Sequence, residues 1–262
     1  MEKKHIIQEG WRNALEQFLQ PWLLKSDVAG VLVCGSYVTG NPSPRSDIDI
    51  HVVLAENVEW RERGNLRIDG YIMEYFANPP GQIRQYFQED HAENRPIAAT
   101  QFVTGDIIHD PRGMVARLQA DAQTWLDTPF APLSEVQAEV MKYGLWDRLE
   151  KLRNAHEGQH IEEPPVYAHL LYQLVVFYAR YLEAPVPSVH QLALLWEPER
   201  AYRKYRQPAF PDPEFVELLK HALQPASSQE YVERVEALYT YVIRNSGGFE
   251  IHGWKLHSSV TV

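Results

Sequence analysis

The sequence predicts an α+β protein, in which a mixed β-sheet domain is followed by an α-helical bundle. Two strand patterns enclose a glycine turn between residues 28 and 54, and a hairpin pattern follows between residues 65 and 77. From Ser134 onward, apolar residues recur mainly at helical spacing. A chain of 262 residues with 45% hydrophobic residues has enough material for two cores. We therefore expect two domains, residues 1–130 and 131–262.

The chain opens with a predicted helix and a predicted buried strand. Residues 5–24 carry apolar side chains at helical spacing, and Pro21 is expected to kink or terminate that helix. Residues 28–34, VAGVLVC, form a short apolar run typical of a buried strand. Cys34 is the only cysteine, so no internal disulfide can form, which fits a reducing cytoplasm.

A turn follows this strand at Gly35 and Ser36. We expect Ser36 to open a short helix, whose first backbone N–H groups are unpaired and attract phosphate oxygens. Gly35 would let the backbone approach a phosphate closely, and Ser36 would add a hydroxyl donor. Residues 41–45, NPSPR, then form a loop that leads to the next strand.

Residues 47–54 predict a second strand with two carboxylates on one face. Alternation puts Asp47, Asp49 and His51 on the same side, with the Asp Cα atoms about 6 to 7 Å apart. One interpretation is a pair of solvated acids on an exposed sheet. The glycine turn and Ser46 beside them favour a metal site, because Mg²⁺ binds carboxylates together with substrate phosphates.

The hairpin after residue 64 contains a third acidic candidate. An Asp69-Gly70 turn separates two strand patterns, and the second of these, YIMEYFA, places Glu74 among apolar residues. An unpaired carboxylate in such a strand requires a cation or an edge position, and both interpretations remain open at this point. Asp69 is better explained as the turn residue.

The remaining pattern closes the first domain and builds the second from helices. Residues 79–94 predict a helix and residues 105–110 a short edge strand, after which Asp110 is expected to cap a helix rather than to bind metal. Residues 128–132 form the predicted linker. Helices are expected at residues 134–155, 165–182, 188–197, 213–223 and 228–245, and the tail FEIHGWKLH predicts a terminal strand or an extended arm.

Charge and hydropathy limit the partners. The formal net charge of -10 argues against general affinity for nucleic acid, whose phosphates an acidic surface repels. The N-terminus has no apolar signal core, and no run approaches the roughly 20 apolar residues of a membrane span. These observations predict a soluble cytoplasmic protein without a membrane partner, and they leave the oligomeric state open.

The string GSYVTGNPSPRSDIDIHVVL resembles the signature of the DNA polymerase β-like nucleotidyltransferase superfamily, in which hG[GS] is followed by Dh[DE]h and later by h[DE]h. The resemblance covers the first third of the chain. It implies that Asp47, Asp49 and Glu74 are catalytic and hold two Mg²⁺ ions. It also implies that Gly35, Ser36 and Ser46 bind the phosphates of a nucleoside triphosphate, with ATP as the favoured substrate.

The overall layout is similar to that of the bacterial aminoglycoside nucleotidyltransferases, in which a helical domain closes the cleft. This similarity implies AMP transfer to a hydroxyl of a small-molecule acceptor, for example an aminoglycoside, and a role in antibiotic resistance. No motif in residues 131–262 transfers residue by residue. Basic candidates to reach the triphosphate are Lys142, Arg148, Arg200, Arg203 and Lys204, although a solvated surface position is the preferred explanation for each one taken singly.

An alternative function comes from a second pattern. Some small nucleotidyltransferases are antitoxins that adenylylate a protein partner of the HEPN type, and HEPN ribonucleases carry an Arg-x4-6-His motif. Arg153 and His160 fit that spacing. This spacing is loose enough to arise by chance, so the simpler interpretation is that Arg153 and His160 are surface residues. The alternative function is that of a toxin–antitoxin component.

Overall fold

The computed structural model describes the backbone of residues 2–257 and the side chains of residues 10–227 and 229–257. The chain divides into two compact units. The first covers the chain up to Pro129 together with Tyr202–Gln207, and the second covers Phe130–Ala201 and the chain from Pro208. A five-stranded sheet and many helices confirm the predicted α+β class.

The first unit contains α1 (Glu2–Leu23), β1 (Val28–Cys34), β2 (Ile48–Leu54), β3 (Glu62–Ile68), β4 (Tyr71–Asn78), α2 (Pro80–Ala92), α3 (Ile97–Thr104), β5 (Asp106–His109) and α4 (Met114–Asp127). The elements of the second part of the chain are α5 (Glu135–Glu157), α6 (Glu163–Tyr181), a 3-10 helix (Val189–Trp196), α7 (Pro198–Tyr205), α8 (Pro213–Ala222) and α9 (Ser228–Asn245). Among the helices within residues 2–257, none is both long and apolar enough to cross a membrane.

The sheet has the strand order β3-β4-β2-β1-β5 and a single parallel pair in the described chain, β2 with β4. The chain leaves β2, forms β3 at the edge and returns as β4, so that β4 fills the place between β2 and β3. Asp49 therefore lies opposite Cys34 of β1 on one side and opposite Glu74 of β4 on the other. Residues far apart in sequence become neighbours through this register.

The predicted hairpin is confirmed. Asp69 and Gly70 connect β3 to β4 with φ angles of 49° and 86°, the pair of positive values that a tight type I′ turn requires. The turn sets the register in which Asn65 faces Glu74. It therefore determines which β3 side chains reach the third acidic residue.

Helices cover both faces of the sheet. On one face, Trp11, Phe18 and Trp22 of α1 pack against apolar residues of β1, β2 and β4, and α1 ends shortly after Pro21, as predicted. On the other face, α2, α3 and α4 cover Leu32 and its neighbours. Burial of these two apolar layers drives the formation of this unit.

Two local expectations were wrong, and one helix was not predicted. Ser36 does not open a helix: residues 36–40 form turns, with the Thr39 N–H donating to the Gly35 carbonyl at 3.0 Å. Gly40, at φ 84°, turns the backbone away from the helical path before a second turn can form. The second strand begins at Ile48, so Asp47 lies just before it, and α3 occupies a segment for which no helix was predicted.

The second unit is helical, and its helix starts follow the sequence signals. Ser134 caps α5 by accepting from the Gln137 N–H at 3.2 Å, and the Gln137 side chain accepts from the Ser134 N–H in return. Asp212 caps α8, and its carboxylate also accepts from the hydroxyls of Tyr178 and Tyr241. The tail after α9 forms no strand up to residue 257. It contains turns, and the ring of Trp254 stacks on that of Tyr143, so neither predicted alternative, a terminal strand or an extended arm, is confirmed.

Candidate active site

Asp47, Asp49 and Glu74 lie together on the sheet of the first unit. Each contributes a carboxylate oxygen, and these oxygens lie within 4.8 Å of one another. Asp47 precedes β2, Asp49 is in β2, and Glu74 is its direct neighbour on the parallel strand β4. All three side chains are partly exposed, so the cluster is accessible to a ligand. Among the described residues, this is the group of acidic and imidazole side chains that could hold a metal ion.

Gly35 lies directly against this cluster. Its φ angle is 78°, and a Cβ atom at this position would overlap Asp49 Oδ2. The turn after Gly35 is held by hydrogen bonds from the N–H and hydroxyl of Thr39 to the Gly35 carbonyl. Only glycine combines this backbone conformation with such a close approach to a carboxylate.

The pKa of Asp49 reflects an excess of negative charge within the cluster. Burial, and then the negative charges of Asp47 and Glu74, raise the pKa of Asp49 to about 6, and the charge of Lys204 lowers it only in part. Carboxylates that repel one another in this way are stabilised by a bound cation. Lys204 belongs to the segment Tyr202–Gln207 of the first unit, far from the acidic residues in sequence.

Glu74 has a cationic partner. Arg63 of β3 donates to Glu74 Oε1 at 2.8 Å, and its guanidinium lies over the Phe76 ring at 4.7 Å from the centroid. The Arg63 side chain is 68% exposed, so solvent screens the ion pair and its contribution to stability is small. The pair leaves Glu74 oriented and still available to a stronger ligand.

The layer beneath the acidic residues is apolar and neutral. His51 stacks on Phe76 and packs against Phe102, and its Nε2 lies 3.1 Å from Gln101 Oε1. Burial lowers the pKa of His51 to about 4, so the ring adds no positive charge at neutral pH. Burial, and then the charges of Asp49 and Asp47, raise the pKa of the Cys34 thiol well above its usual value, which keeps it protonated.

The two predicted serine ligands differ in their surroundings. Ser36 is the first residue of the turn after Gly35 and is partly exposed. The Ser46 hydroxyl accepts from the Ser43 N–H at 2.9 Å and lies 3.2 Å from the Ser43 hydroxyl, so it is engaged within its own loop. Their role in phosphate binding remains a prediction.

Most of the other basic candidates have local partners. The Lys142 ammonium is buried and pairs with Glu139 at 3.0 Å, and Arg148 donates to the Gly144 carbonyl. Arg153, the first residue of the ribonuclease-like pattern, pairs with both Glu150 and Glu236. These contacts give Arg153 a structural role that joins α5 to α9.

Part of the chain matches a known protein family. Residues 12–94 match the family model of the nucleotidyltransferase domain. No curated protein matches the sequence. Among solved structures, a nucleotidyltransferase-like protein from Exiguobacterium sibiricum 255-15 aligns with 90% of this chain and 76% of its own, with 13% identity and a TM-score of 0.46.

The matched segment of this chain is therefore a nucleotidyltransferase domain, and the predicted enzyme class, a nucleotidyltransferase, is confirmed. Asp47, Asp49 and Glu74 all fall within residues 12–94. The narrower resemblance to aminoglycoside-modifying enzymes is not confirmed by these comparisons.

Two residues of the site were missed or misjudged from the sequence. Arg63 was not singled out, although its position in the hairpin arm facing Glu74 can be found by counting residues back from the Asp69-Gly70 turn. Lys204 was one of five basic candidates to reach the triphosphate, but a surface position was preferred for each of them, because no local pattern indicates that the Lys204 segment belongs with the sheet unit.

Proposed function

We propose that this protein transfers AMP from Mg²⁺-bound ATP to a hydroxyl group of a small molecule. The observation that carries the proposal is the cluster of Asp47, Asp49 and Glu74, held on adjacent strands beside the Gly35 turn within a nucleotidyltransferase domain. A cluster of carboxylates next to a partly exposed backbone turn suits a cation that is bound together with phosphate oxygens.

The donor set fits Mg²⁺. Three carboxylates supply the hard oxygen ligands that this ion prefers, and the raised pKa of Asp49 reflects negative charge that a cation would relieve. Asp47, Asp49 and Glu74 are the residues that would hold the metal. When bound, Mg²⁺ supplies positive charge to the phosphate oxygens of the transferred group.

The remaining roles belong to residues of the chain. Gly35 makes room for the Asp49 carboxylate beside the turn. N–H groups of the turn, with Ser36 and Ser46, donate to the phosphate oxygens. Lys204, which already acts on Asp49 by its charge, adds a cation for the leaving pyrophosphate. Positioning of this kind supplies a large part of the acceleration in phosphoryl transfer.

The reaction is a displacement at the α-phosphorus of ATP. The acceptor oxygen forms a bond to this phosphorus, the bond from the phosphorus to the bridging oxygen of the β-phosphate breaks, and pyrophosphate leaves with the bonding electron pair. The proton of the acceptor hydroxyl passes to the Glu74 carboxylate. Arg63 keeps that carboxylate turned in one direction through its hydrogen bond to Oε1.

The test is to incubate the purified protein with Mg²⁺ and α-labelled ATP against a panel of hydroxyl compounds that includes aminoglycosides, the acceptor class implied by the sequence resemblance. Label transfer and pyrophosphate release are both measured. Asp49→Asn is expected to reduce transfer to background, whereas Glu74→Gln is expected to keep nucleotide binding and lose transfer. Full transfer by Asp49→Asn would contradict the proposal.

A further inference from the structure

The sheet order places the candidate phosphate-binding turn and β3 on opposite sides of the acidic cluster. Gly35 follows β1, Asp49 is in β2 and Glu74 is in β4, so the turn lies at the β1 side and β3 beyond Glu74. Neighbouring strands are about 4.8 Å apart, so β3 is within side-chain reach of the third carboxylate. If the nucleotide phosphates bind at the turn, the space available to the acceptor is on the β3 side of the acidic cluster.

Three arginines lie on this side, and we call Arg61, Arg63 and Arg67 the arginine row. In the β3–β4 register, Arg63 faces Phe76 and Arg67 faces Ile72, with Asn65 facing Glu74 between them. Alternation puts all of these on the face that carries Glu74. Arg61, just before β3, donates to the hydroxyl of Tyr86 in α2, which covers that same face.

Each guanidinium of the row uses only part of its hydrogen-bonding capacity in the structure. Arg63 donates to Glu74 at 2.8 Å, Arg61 to Tyr86 at 2.9 Å and Arg67 to the Gly70 carbonyl at 3.2 Å. A guanidinium has five N–H donors, and all three side chains are exposed. Donors therefore remain for a ligand.

The distribution of charge along β3 distinguishes the row from a merely solvated edge. The opposite face of the strand carries Glu62, Gly64, Leu66 and Ile68, and no arginine. Glu62 there accepts from the Tyr75 hydroxyl. If the arginines only kept the β3 edge soluble, they could lie on either face of the strand. Instead, they lie on the face that carries the acidic cluster.

We propose that the acceptor carries an oxyanion group, either a carboxylate or a phosphate, which the arginine row binds while a hydroxyl of the same molecule is presented to Glu74. The inference rests on the proposed function and names the substrate class of that site. Arginine matches the planar geometry of carboxylate and phosphate groups and can donate to them in pairs. A polycationic aminoglycoside would be repelled by the same three charges.

The test uses four probes that share one sugar ring and differ in charge: glucose, glucosamine, glucuronate and glucose 6-phosphate. Each is titrated calorimetrically into the full-length protein saturated with Mg²⁺ and a non-hydrolysable ATP analogue, so that the nucleotide phosphates already occupy their own site. We expect one of the two anionic sugars to bind at least about tenfold more tightly than glucose, and glucosamine to bind least. The comparison of glucuronate with glucose 6-phosphate separates carboxylate from phosphate recognition.

Single variants locate the binding. Arg67→Gln leaves the Arg63–Glu74 pair in place and is expected to weaken binding of the preferred anionic sugar about tenfold, with nucleotide affinity unchanged within about twofold. Arg12→Gln makes the same change of charge at an exposed site on α1, on the other face of the sheet, and is the matched control. If Arg67→Gln weakened sugar binding only by disturbing the fold, it would lower nucleotide affinity as well.

The outcomes separate the inference from the proposed function. Preferential binding of glucosamine, equal binding of all four probes, no binding of either anionic sugar, or unchanged binding in Arg67→Gln would overturn the inference. The proposed function would stand in each of these cases if Mg²⁺-dependent ATP binding is present in the wild type and lost in Asp49→Asn. If ATP binding by the wild type did not depend on Mg²⁺, both the proposed function and the inference would be overturned.

Discussion

At the scale of single residues, Gly35 and Asp49 constrain each other. Gly35→Ala would place a methyl group on Asp49 Oδ2 in a backbone conformation that alanine avoids, so the carboxylate must move. A displacement of about 1 Å can cost about 100-fold in rate, and we expect at least that loss of transfer. Steady-state kinetics of the purified variant measure it.

Gly40→Ala is the matched control for this change. Gly40 also has a positive φ angle, 84°, but nothing lies within 4 Å of its Cβ position. We expect a loss of stability of about 1 kcal/mol with transfer largely retained. Equal kinetic losses in the two variants would show that backbone strain, and not contact with Asp49, explains the need for Gly35.

The pKa of Asp49 predicts the pH dependence of metal binding. Burial and the charges of Asp47 and Glu74 raise this pKa to about 6, and the proton must leave before the carboxylate can bind a cation. Apparent Mg²⁺ affinity should therefore fall about tenfold per pH unit below pH 6 and level off above about pH 7. Calorimetric titration of Mg²⁺ between pH 5 and 8 checks this expectation, and a flat profile would contradict it.

The same shift has a consequence for stability. The pKa of Asp49 rises from 3.8 to about 6 on folding, so the folded state holds the proton more tightly than the unfolded state, and stability is lost as pH rises through this interval. Without metal above pH 6, the ionised carboxylate should cost about 2–3 kcal/mol. Asp49→Asn should therefore raise the free energy of unfolding in urea at pH 8 with chelator present.

Asp106→Asn, at an exposed position on β5, is the control for removing one negative charge from this acidic protein. We expect it to change stability by less than about 0.5 kcal/mol. If Asp49→Asn were less stable than the wild type in metal-free buffer, the repulsion within the cluster would be refuted.

The acidic residues could be predicted because their signals are local. The spacing of Asp47 and Asp49 predicted that their carboxylates lie on one side, which holds although Asp47 precedes β2, and Glu74 is conspicuous as a carboxylate within an apolar strand. The meeting of Glu74 with Asp49 depends on the strand order, which the residues alone do not determine. The sequence did not distinguish Lys204 from the other basic candidates, since its effect on Asp49 depends on long-range folding.

At the scale of the elements, Asp212 joins three helices of the second unit. It caps α8 through the Phe215 N–H at 3.1 Å and accepts from Tyr178 of α6 at 2.6 Å and from Tyr241 of α9 at 2.9 Å. Burial alone would raise the pKa of Asp212, but these hydrogen bonds outweigh it and lower the pKa. The carboxylate therefore stabilises the unit above the ordinary Asp pKa, and this contribution is lost as pH falls below it.

We expect Asp212→Ala to cost about 2–4 kcal/mol, because it removes a helix cap and leaves two hydroxyls without their acceptor. Tyr241→Phe removes one of these hydrogen bonds only and should cost about 1 kcal/mol. Chemical denaturation monitored by circular dichroism at pH 7 measures both. If Asp212→Ala lost no more stability than Tyr241→Phe, the role of Asp212 in joining the three helices would be contradicted.

The boundaries of the helices and strands show which structural features can be predicted from local sequence patterns. The Asp69-Gly70 turn and the start of the helix near Ser134 could be predicted because each depends on a few consecutive residues. The segment after Gly35 was misjudged, because a helix N-terminus and a run of turns begin alike and differ only beyond the first turn, here at Gly40. α3 carried no pattern that distinguished it from a loop.

At the scale of the whole molecule, ligand binding should be visible as thermal stability. A ligand that binds only the folded state stabilises it by about 2.7 kcal/mol at a concentration 100 times its Kd. Mg²⁺ with ATP should therefore raise the Tm by several degrees, and chelation should reverse this rise. The shift should be absent in Asp49→Asn, while Asp106→Asn retains it. An equal shift in Asp49→Asn would mean that the nucleotide binds elsewhere.

The open edge of the sheet at β3 has one more consequence. An edge strand offers unpaired backbone groups to any other strand it meets, and charged side chains are a common protection against such intermolecular pairing. Arg61, Arg63 and Arg67 provide positive charge along this edge, while Leu66 on the other face is 51% exposed. Neutralising several of these arginines together would remove most of the positive charge that protects this edge and its exposed Leu66. We therefore expect variants made to broaden the substrate range to aggregate more readily than the wild type, and a lysine or proline returned to the edge to reduce this tendency.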